Sequence, residues 1–230
     1  MWYFIIYTAI VATCFCYIRT GKNYNLSLAL KTLASMGFIG LAIFTPIIND
    51  SRFTLSNAFL IMGAICGLLG DIILDVYYSQ NNSKHLFMGF ACFGVGHIFY
   101  LFSILNIATS SGSIIKISVF IYTIILALII SITFILGCRI LKLDFGNMSI
   151  TTNIYTYILC FITIFSWIVT TINSKFLTMS IGFTLFLVSD CILSFIYFGK
   201  KRKSNLFQIL NHSLYYLAQI LICITLFNNF

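Results

Sequence analysis

The chain has 230 residues, of which 60% are hydrophobic and only 8% charged, and its mean hydropathy is +1.04. A soluble domain carries about 25% charged residues on average, so this composition excludes one. The net charge of +8 does not indicate nucleic-acid binding, because the basic residues fall in short connections between apolar runs, where such residues orient membrane proteins. The apolar runs do not alternate polar with apolar residues, which excludes a lipid-facing barrel.

Apolar runs of roughly 20 residues follow one another along the chain, each long enough to cross a hydrocarbon core about 30 Å thick. The backbone must satisfy its own hydrogen bonds there, so we predict helices. The eight predicted spans are Trp2–Ile18, Leu28–Ile48, Leu55–Tyr78, Leu86–Ile107, Ile114–Leu136, Ile150–Thr171, Phe176–Phe198 and Leu206–Phe227. Because the connections are short, we predict an all-α polytopic helical bundle that forms a single transmembrane domain over residues 1–230.

The basic residues are divided unevenly between the two sets of connections. Those after odd-numbered spans hold nine, namely Arg19, Lys22, Lys84, Arg139, Lys142, Lys200, Lys201, Arg202 and Lys203. The alternate connections hold three, namely Arg52, Lys116 and Lys175. This bias predicts that the odd connections are cytoplasmic and that both termini lie outside. The isoleucine-, lysine- and asparagine-rich composition is typical of an AT-rich genome, so we expect a bacterial cell membrane.

The end of span three and the end of span seven resemble each other. Residues 69–75 and residues 188–194 share the pattern of an apolar residue, a small residue, aspartate, any residue, isoleucine and leucine. A separation of four spans preserves the direction across the membrane, so the pattern predicts a parallel repeat of four plus four spans. The alternative is a chance similarity between two apolar helices.

The chain has no glutamate and five aspartates, and three of these, Asp71, Asp75 and Asp190, lie within predicted spans. An ionisable group there costs about 2.5–3.5 kcal/mol even on the mild insertion scale, so each is a functional candidate. Gly63 and Gly67 precede Asp71 and Asp75 at intervals of four residues, so all four form one stripe on which a neighbouring helix can pack closely. Two carboxylates one turn apart resist joint ionisation, and we expect one to keep its proton as a general acid. The alternative is a set of acids that only tie helices together.

Five further polar residues within spans complete the candidate site: Lys31, His97, Tyr100, Tyr216 and Gln219. His97 and Tyr100 are three residues apart and share a helix face, as do Tyr216 and Gln219. At 1.5 Å per residue, one layer between the bilayer centre and the cytoplasmic face can hold the three aspartates together with Lys31, His97, Tyr216 and Gln219. Lys31 either snorkels to the interface, neutralises a carboxylate or holds a substrate phosphate. The histidine and the aromatic residues have packing as their alternative role.

Four motifs occur in a fixed order along most of the chain. They are Gly70-Asp71-x-x-Leu74, Phe87-x-Gly89-x-x-x-Phe93-x-x-x-His97-x-x-Tyr100, Ser189-Asp190-x-x-Leu193 and Tyr215-Tyr216-x-Ala218-Gln219. In order and separation they resemble the signatures of the YhhN-like lysoplasmalogenase family. Lys31 also resembles the lysine that this family carries early in its second span. Thr32 follows it here where the family commonly has proline, which leaves the local shape of span two open.

The resemblance implies an eight-span membrane hydrolase without a cofactor. Its substrate is a lysophospholipid, a choline or ethanolamine lysoplasmalogen, whose vinyl ether bond is cleaved to a fatty aldehyde and a glycerophospho-base. Protonation of the β-carbon of an enol ether needs a positioned acid and a negative charge that stabilises the resulting cation. We expect Asp71 or Asp190 to be the acid and the other to be the carboxylate or base, with Asp75 adjusting the acidity. His97 with Tyr100 is expected to orient water or a carboxylate. The expected substrate-binding residues are Lys31, Tyr100, Tyr216 and Gln219.

Two other functions remain open from the residues alone. A metal-dependent membrane hydrolase acting on a lipid amide or ester would draw a zinc site from a set of acids and histidines, namely Asp71, Asp75, His97, Asp190 and His212. No H-E-x-x-H motif supports it, and we expect no metal. A small proton-coupled transporter would use the aspartates as proton or cation sites. Its helices would carry paired glycine or proline breaks, whereas the only proline here is Pro46, near a span end.

Overall fold

A computed structural model of the chain describes residues 2–19, 23–48, 53–80, 82–112, 115–199 and 204–225. These residues form eight long helices, and no strand occurs among them. The helices are α1 (Trp2–Arg19), α2 (Tyr24–Ile48), α3 (Leu55–Gln80), α4 (Ser83–Ser110), α5 (Ile117–Ile140), α6 (Ser149–Ile172), α7 (Leu177–Tyr197) and α8 (Asn205–Ile224). Each is long and apolar enough to cross a membrane, which confirms the predicted polytopic helical bundle.

The predicted spans agree with the helices except at some helix ends. The prediction ended α5 at Leu136, but the helix continues to Ile140 and includes Arg139 in its last turn. α1 likewise includes Arg19, whose side chain is buried. The prediction assigned both arginines to connections, which is wrong because a long basic side chain can stay in a helix when its charged end reaches a partner or the interface. The basic residues Lys22, Arg52 and Lys200–Lys203, on which the predicted orientation depends, lie outside the described residues.

The helices pack as two groups of four. In the first group α1 contacts α2, α2 contacts α3 and α3 contacts α4, and in the second α5 contacts α6, α6 contacts α7 and α7 contacts α8. The groups meet where α2 packs against α8 and α4 packs against α6. If α1–α4 are exchanged in order for α5–α8, the contact of α2 with α8 becomes that of α6 with α4. The contacts within the first group become those within the second group. The packing therefore has the two-fold pattern that the predicted parallel repeat requires.

Individual residues follow the same two-fold pattern. A shift of 119 residues relates Asp71 in α3 to Asp190 in α7. The same shift relates Tyr100 in α4 to Gln219 in α8. The Tyr100 hydroxyl donates a hydrogen bond of 2.8 Å to Oε1 of Gln219, so this equivalent pair meets between the two groups. Equivalent residues touch each other only close to the axis that relates them. The ring of Tyr100 reaches this position because Gly63 faces it, where a Cβ atom would overlap the ring.

One helix contact breaks the two-fold pattern. α1 packs against both α2 and α8, whereas its counterpart α5 packs mainly against α6. α5 is accordingly the least buried of the eight helices. As a result, α1 lies over the junction of α2 with α8, while the equivalent junction of α4 with α6 keeps an open groove on the lipid-facing surface.

Candidate active site

Two basic and two acidic side chains form a buried charge cluster, which we define as Arg19, Lys31, Asp71 and Asp75. The Lys31 Nζ atom lies 3.3 Å from Oδ1 of Asp71 and 3.9 Å from Oδ1 of Asp75. The Nη1 atom of Arg19 lies 2.7 Å from Oδ1 of Asp75. All four residues are buried. Two cations therefore balance two carboxylates, and removing one partner would leave a buried charge uncompensated.

The Asp71 carboxylate is held by two further helices. Its Oδ2 atom accepts hydrogen bonds from Ser35 Oγ of α2 at 2.6 Å and from Tyr215 Oη of α8 at 2.7 Å. Lys31 also donates to the main-chain oxygen of Asp71 at 3.1 Å. Of the three roles considered for Lys31, the structure therefore shows the neutralisation of a carboxylate. Asp71 joins α2, α3 and α8 at one point.

Arg19 is a member of the charge cluster that the sequence interpretation did not select. Besides Asp75 it contacts Ser27, whose Oγ accepts a hydrogen bond from Nη1 at 3.2 Å. Its guanidinium lies 3.8 Å from the ring centroid of Tyr78, a cation–π contact at the end of α3. A signal was available in the sequence. Two carboxylates that are both ionised and buried on one helix face need two cations for charge balance, and Lys31 supplies only one.

A second acidic centre, which we call the Asp190 site, consists of His97, Tyr155 and Asp190. The Tyr155 hydroxyl donates a hydrogen bond to Oδ2 of Asp190 and lies 3.5 Å from Nε2 of His97. The His97 ring packs edge-on against Phe186, with ring centroids 4.7 Å apart. Nδ1 of His97 has no hydrogen-bond partner within the described part of the chain. No cation forms an ion pair with Asp190 among the described residues.

Tyr155 was also missed by the sequence interpretation, because a tyrosine within an apolar span resembles an ordinary packing residue. The repeat contained a usable signal. Ser35 precedes Asp71 by 36 residues and Tyr155 precedes Asp190 by 35 residues, and each hydroxyl bonds to its aspartate. The residue of α6 equivalent to Ser35 is Ile154, so the signal points to the neighbouring position, at which Tyr155 supplies the hydroxyl.

An aromatic wall separates the charge cluster from the Asp190 site. It consists of Phe93, Phe186 and Tyr215, whose ring centroids are 5.3–6.0 Å apart. Tyr215 belongs to both sides, since its hydroxyl binds Asp71 while its ring packs on Phe186. Gln219 Nε2 donates to the Tyr215 hydroxyl at 3.4 Å. A hydrogen-bonded chain therefore runs from Tyr100 through Gln219 and Tyr215 to Asp71.

The eight residues predicted for the site lie in two adjoining groups. Tyr216 joins the charge cluster, because its hydroxyl donates to the main-chain oxygen of Lys31 at 3.3 Å. Tyr100 and Gln219 lie between the cluster and the Asp190 site, and the ring centroids of His97 and Tyr100 are 6.4 Å apart. The structure thus brings together Lys31, Asp71, Asp75 and Tyr216 on one side and His97 and Asp190 on the other, with Tyr100 and Gln219 between them. Their substrate-binding roles stay predictions.

The two acidic centres differ in access. The exposed fraction is 3% for Asp71 and 0% for Asp75. Asp190 is only partly buried and lies on a narrow cleft between α6 and α7, which Tyr155 and Phe90 also line. The volume of this cleft is about 20 Å³, so it can admit a water molecule beside the Asp190 carboxyl group but not a lipid chain.

The donor set for a metal ion is poor in the described part of the chain. No group of three or more His, Cys, Asp and Glu side chains with metal-binding geometry occurs among those residues. His212, one of the residues considered for zinc, instead packs edge-on against Phe15 with ring centroids 4.7 Å apart.

The fold and the site define a class, that of polytopic membrane proteins with acidic centres buried between their helices. The sequence model of the YhhN family matches residues 26–226. The chain therefore belongs to the YhhN family, the family of lysoplasmalogenases. No curated protein and no solved structure matches the chain at a significant level. The family match supports the resemblance drawn from the four motifs, all of which lie inside the matched residues.

Proposed function

We propose that this protein is a membrane hydrolase that cleaves the vinyl ether bond of lysoplasmalogens, with Asp190 as the general acid. The observation that carries this proposal is an aspartic acid that faces a cleft within the membrane and bonds to a tyrosine hydroxyl. A carboxyl group that transfers a proton must spend part of its time protonated, and a neighbouring cation opposes this state. Asp71 and Asp75 have such cations, whereas Asp190 has none among the described residues.

The proposed reaction begins with transfer of the Asp190 proton to the β-carbon of the vinyl ether. The electron pair of the double bond forms the new C–H bond, and the α-carbon becomes an oxocarbenium ion beside the new Asp190 carboxylate. The carboxylate stabilises this cation electrostatically. Water then adds to the α-carbon and returns one proton to Asp190. The resulting hemiacetal breaks its bond to the glycerol oxygen, which takes the hydroxyl proton, and yields a fatty aldehyde and a glycerophospho-base.

Tyr155 and His97 are the positioning residues of this proposal. The Tyr155 hydroxyl fixes the rotamer of the Asp190 side chain by donating to Oδ2, and we assign the transferred proton to Oδ1. His97 lies on the other side of the Tyr155 hydroxyl, with Nε2 at 3.5 Å. This arrangement makes His97 the candidate for orienting the attacking water, as the sequence interpretation expected. The water needs such a partner because it must approach the α-carbon in a defined direction.

The charge cluster has a supporting role in the proposal. Because Lys31 is engaged by Asp71 through both carboxylate and main-chain oxygen, we assign it to charge balance rather than to phosphate binding. The cluster fixes Tyr215, and Tyr215 with Phe186 forms the wall behind His97. The proposal also keeps the predicted orientation, in which the Asp190 site lies in the cytoplasmic half of the membrane.

Release of aldehyde from defined lysolipids tests the proposed function. The purified protein in detergent is given a 1-alkenyl lysophospholipid, its 1-acyl ester analogue and its saturated 1-alkyl ether analogue, each with choline and with ethanolamine. Mass spectrometry should detect a fatty aldehyde and the glycerophospho-base in equal amounts from the alkenyl lipid alone. Release of a fatty acid from the ester, or no product from any lipid, would count against the proposal.

A further inference from the structure

The groove between α4 and α6 has an apolar lining of restricted size. It is lined by Ala91, Gly94, Val95 and Ile98 of α4 and by Ile154 and Ile158 of α6, among others. Its volume is about 320 Å³, which is within the range of roughly 300–1,000 Å³ typical of small-molecule sites. The groove is open to the surface that lipid contacts. A ligand that fits it must therefore be mainly hydrocarbon.

Part of the groove volume is present because Gly94 has no side chain. Gly94 lines the groove. A Cβ atom at this position would contact only Ile158 Cδ1 and Tyr155 Cδ2, each at 3.8 Å. This is an ordinary contact distance, so Gly94 is not required by close packing of α4. Most other helical glycines of this chain lie against a neighbour that a Cβ would overlap, as Gly63 does against Tyr100.

The groove adjoins the Asp190 site. Phe90 and Tyr155 line both the groove and the narrow cleft on which Asp190 lies. Their rings are stacked with centroids 5.2 Å apart and form the partition between the two spaces. Tyr155 thus touches the groove with its ring and holds Asp190 with its hydroxyl. A ligand lying in the groove has its nearest reactive protein group at this partition.

The direction of the groove suits a lipid chain. Tyr155 lies six residues after the start of α6 at Ser149, which is about 9 Å along the helix axis. The groove extends from Phe87 and Ile150 near the loops, past Tyr155, to Ile98 and Ile158 nearer the middle of the membrane. A chain that lies along the groove with its methyl end toward the bilayer centre therefore passes Tyr155.

We propose that the groove between α4 and α6 binds the single hydrocarbon chain of a lysolipid and presents the ether carbons to Asp190 at the Phe90–Tyr155 partition. This inference rests on the proposed function for the identity of the reacting bond, but not for the binding of the chain. The equivalent junction of α2 with α8 is covered by α1. A second, mainly apolar groove of about 270 Å³ lies between α1 and α8, but no residue of the Asp190 site lines it.

Photo-labelling tests the site without requiring turnover. The probe is a saturated 1-alkyl lysophosphatidylcholine that carries a diazirine on its chain, because the saturated ether cannot react by protonation of a double bond. After irradiation with the purified protein, labels should appear on α4 and α6 at groove residues such as Ile98 and Ile158. An excess of unlabelled lysophosphatidylcholine should remove them. The proposal would be overturned by labels that resist competition or by protein–protein crosslinks through α4. It would also be overturned by labels confined to the groove between α1 and α8, which Leu217 lines.

Two glycine variants provide a matched control. Gly94→Trp fills the groove and should lower labelling about tenfold or more, in the range expected when a hydrocarbon pocket loses space for its ligand. Gly137→Trp adds the same side chain to α5 at a position with nothing within 4 Å, and labelling should stay at the wild-type level. Gly94→Ala adds only the Cβ atom and should also label normally. Equal labelling of Gly94→Trp and Gly137→Trp would contradict the proposal.

Substrate chain length separates this inference from the proposed function. If the protein releases aldehyde, Gly94→Leu should lower kcat/KM about tenfold more for a long-chain alkenyl lysolipid than for a short-chain one. An equal effect on both would overturn the groove assignment and leave the hydrolase assignment intact. If no lipid releases aldehyde while the groove is labelled competitively and Gly94→Trp is not, the proposed function fails and the chain-binding site stands.

Discussion

The charge cluster and the Asp190 site begin from the same element, an aspartate at equivalent positions of α3 and α7, yet their surroundings differ. Asp71 has Lys31 within 3.3 Å and accepts hydrogen bonds from Ser35 and Tyr215. Asp190 receives a hydrogen bond from Tyr155 and, among the described residues, forms no ion pair. A carboxylate paired with a cation is a stable part of the fold, whereas a carboxyl group on a cleft is available for proton transfer.

A second difference lies one turn along each helix. α3 carries Asp75, which pairs with Arg19, and the corresponding residue of α7 is Ser194, whose hydroxyl donates to the Asp190 main-chain oxygen at 3.0 Å. The first half of the repeat therefore contains two acids with two bases, whereas the second half contains one acid beside a cleft. Under the proposed function, the first arrangement stabilises the fold and the second carries out the reaction.

The largest expected effect comes from replacing Asp190 by asparagine. The amide keeps the size of the side chain and an oxygen that accepts the Tyr155 hydrogen bond, but it cannot transfer the proton. We expect kcat for an alkenyl lysolipid to fall about 10²–10⁴-fold, measured as aldehyde release. The thermal midpoint in detergent should change by no more than about 4 °C, equivalent to about 1 kcal/mol or less.

Asp144→Asn is the matched control for this prediction. Asp144 lies in the connection before α6, where its Oδ1 accepts a hydrogen bond from the Gly146 amide at 3.0 Å, and the amide oxygen of asparagine can replace it. Its turnover should equal that of the unsubstituted protein. Normal turnover by Asp190→Asn as well would assign the proton transfer to a different group.

Asp71→Asn should produce the opposite balance of effects, with stability changing more than chemistry. It leaves Lys31 without its closest carboxylate in a buried position, which costs about 3–5 kcal/mol for pairs of this kind and lowers the thermal midpoint on the order of 10 °C. The double variant Asp71→Asn/Lys31→Met removes both charges and should recover at least half of that loss. If Asp71→Asn were as stable as the unsubstituted protein, the ion pair would not be the reason for the difference between the two centres.

The bundle itself could be predicted from sequence because it depends on local composition. Every span is a run of apolar residues long enough to cross a membrane, and no distant contact is needed to recognise it. The repeat of the aspartate motif was also visible, because equivalent helices keep similar residues at similar places. Helix ends were harder, as Arg139 illustrates, since a basic residue at a boundary is compatible with either helix or connection.

The partners of the acids could not be predicted in the same way. Asp71 contacts Tyr215 at a separation of 144 residues, and this contact depends on which face of α8 meets α3. Arg19 had the local features of an orientation signal, and Tyr155 those of a packing aromatic. Their roles follow from the packing of α1 near α3 and of α6 beside α7, and a single sequence contains little information on these contacts. The three aspartates within the spans were identifiable from the sequence alone, but their division into two different centres was not.

Removing the hydrogen bond to each aspartate compares the two centres directly. Tyr155→Phe keeps the ring that lines the groove but removes the hydroxyl that fixes Asp190. We expect kcat to fall about tenfold, which corresponds to about 1.4 kcal/mol, with KM unchanged. Ser35→Ala removes the equivalent hydroxyl at Asp71, where Lys31 and Tyr215 remain as partners, and kcat should change less than about twofold. Equal effects of the two variants on kcat would mean that both aspartates act in the chemical step.

The smallest expected effect concerns the contact that joins the two groups of helices. Tyr100→Phe and Gln219→Leu each break the 2.8 Å hydrogen bond between α4 and α8, and the double variant removes both partners. A double-mutant cycle on the free energy of unfolding should give a coupling energy of about 1 kcal/mol. Ser103→Ala is the control, because the Ser103 hydroxyl donates to the Ser56 main-chain oxygen inside the first group. The free-energy changes of Ser103→Ala and Gln219→Leu should be additive. A coupling energy near zero for Tyr100 with Gln219 would mean that this hydrogen bond does not help to join the two groups. The packing of α2 on α8 and of α4 on α6 would then fix the distance between the two acids, together with the aromatic wall.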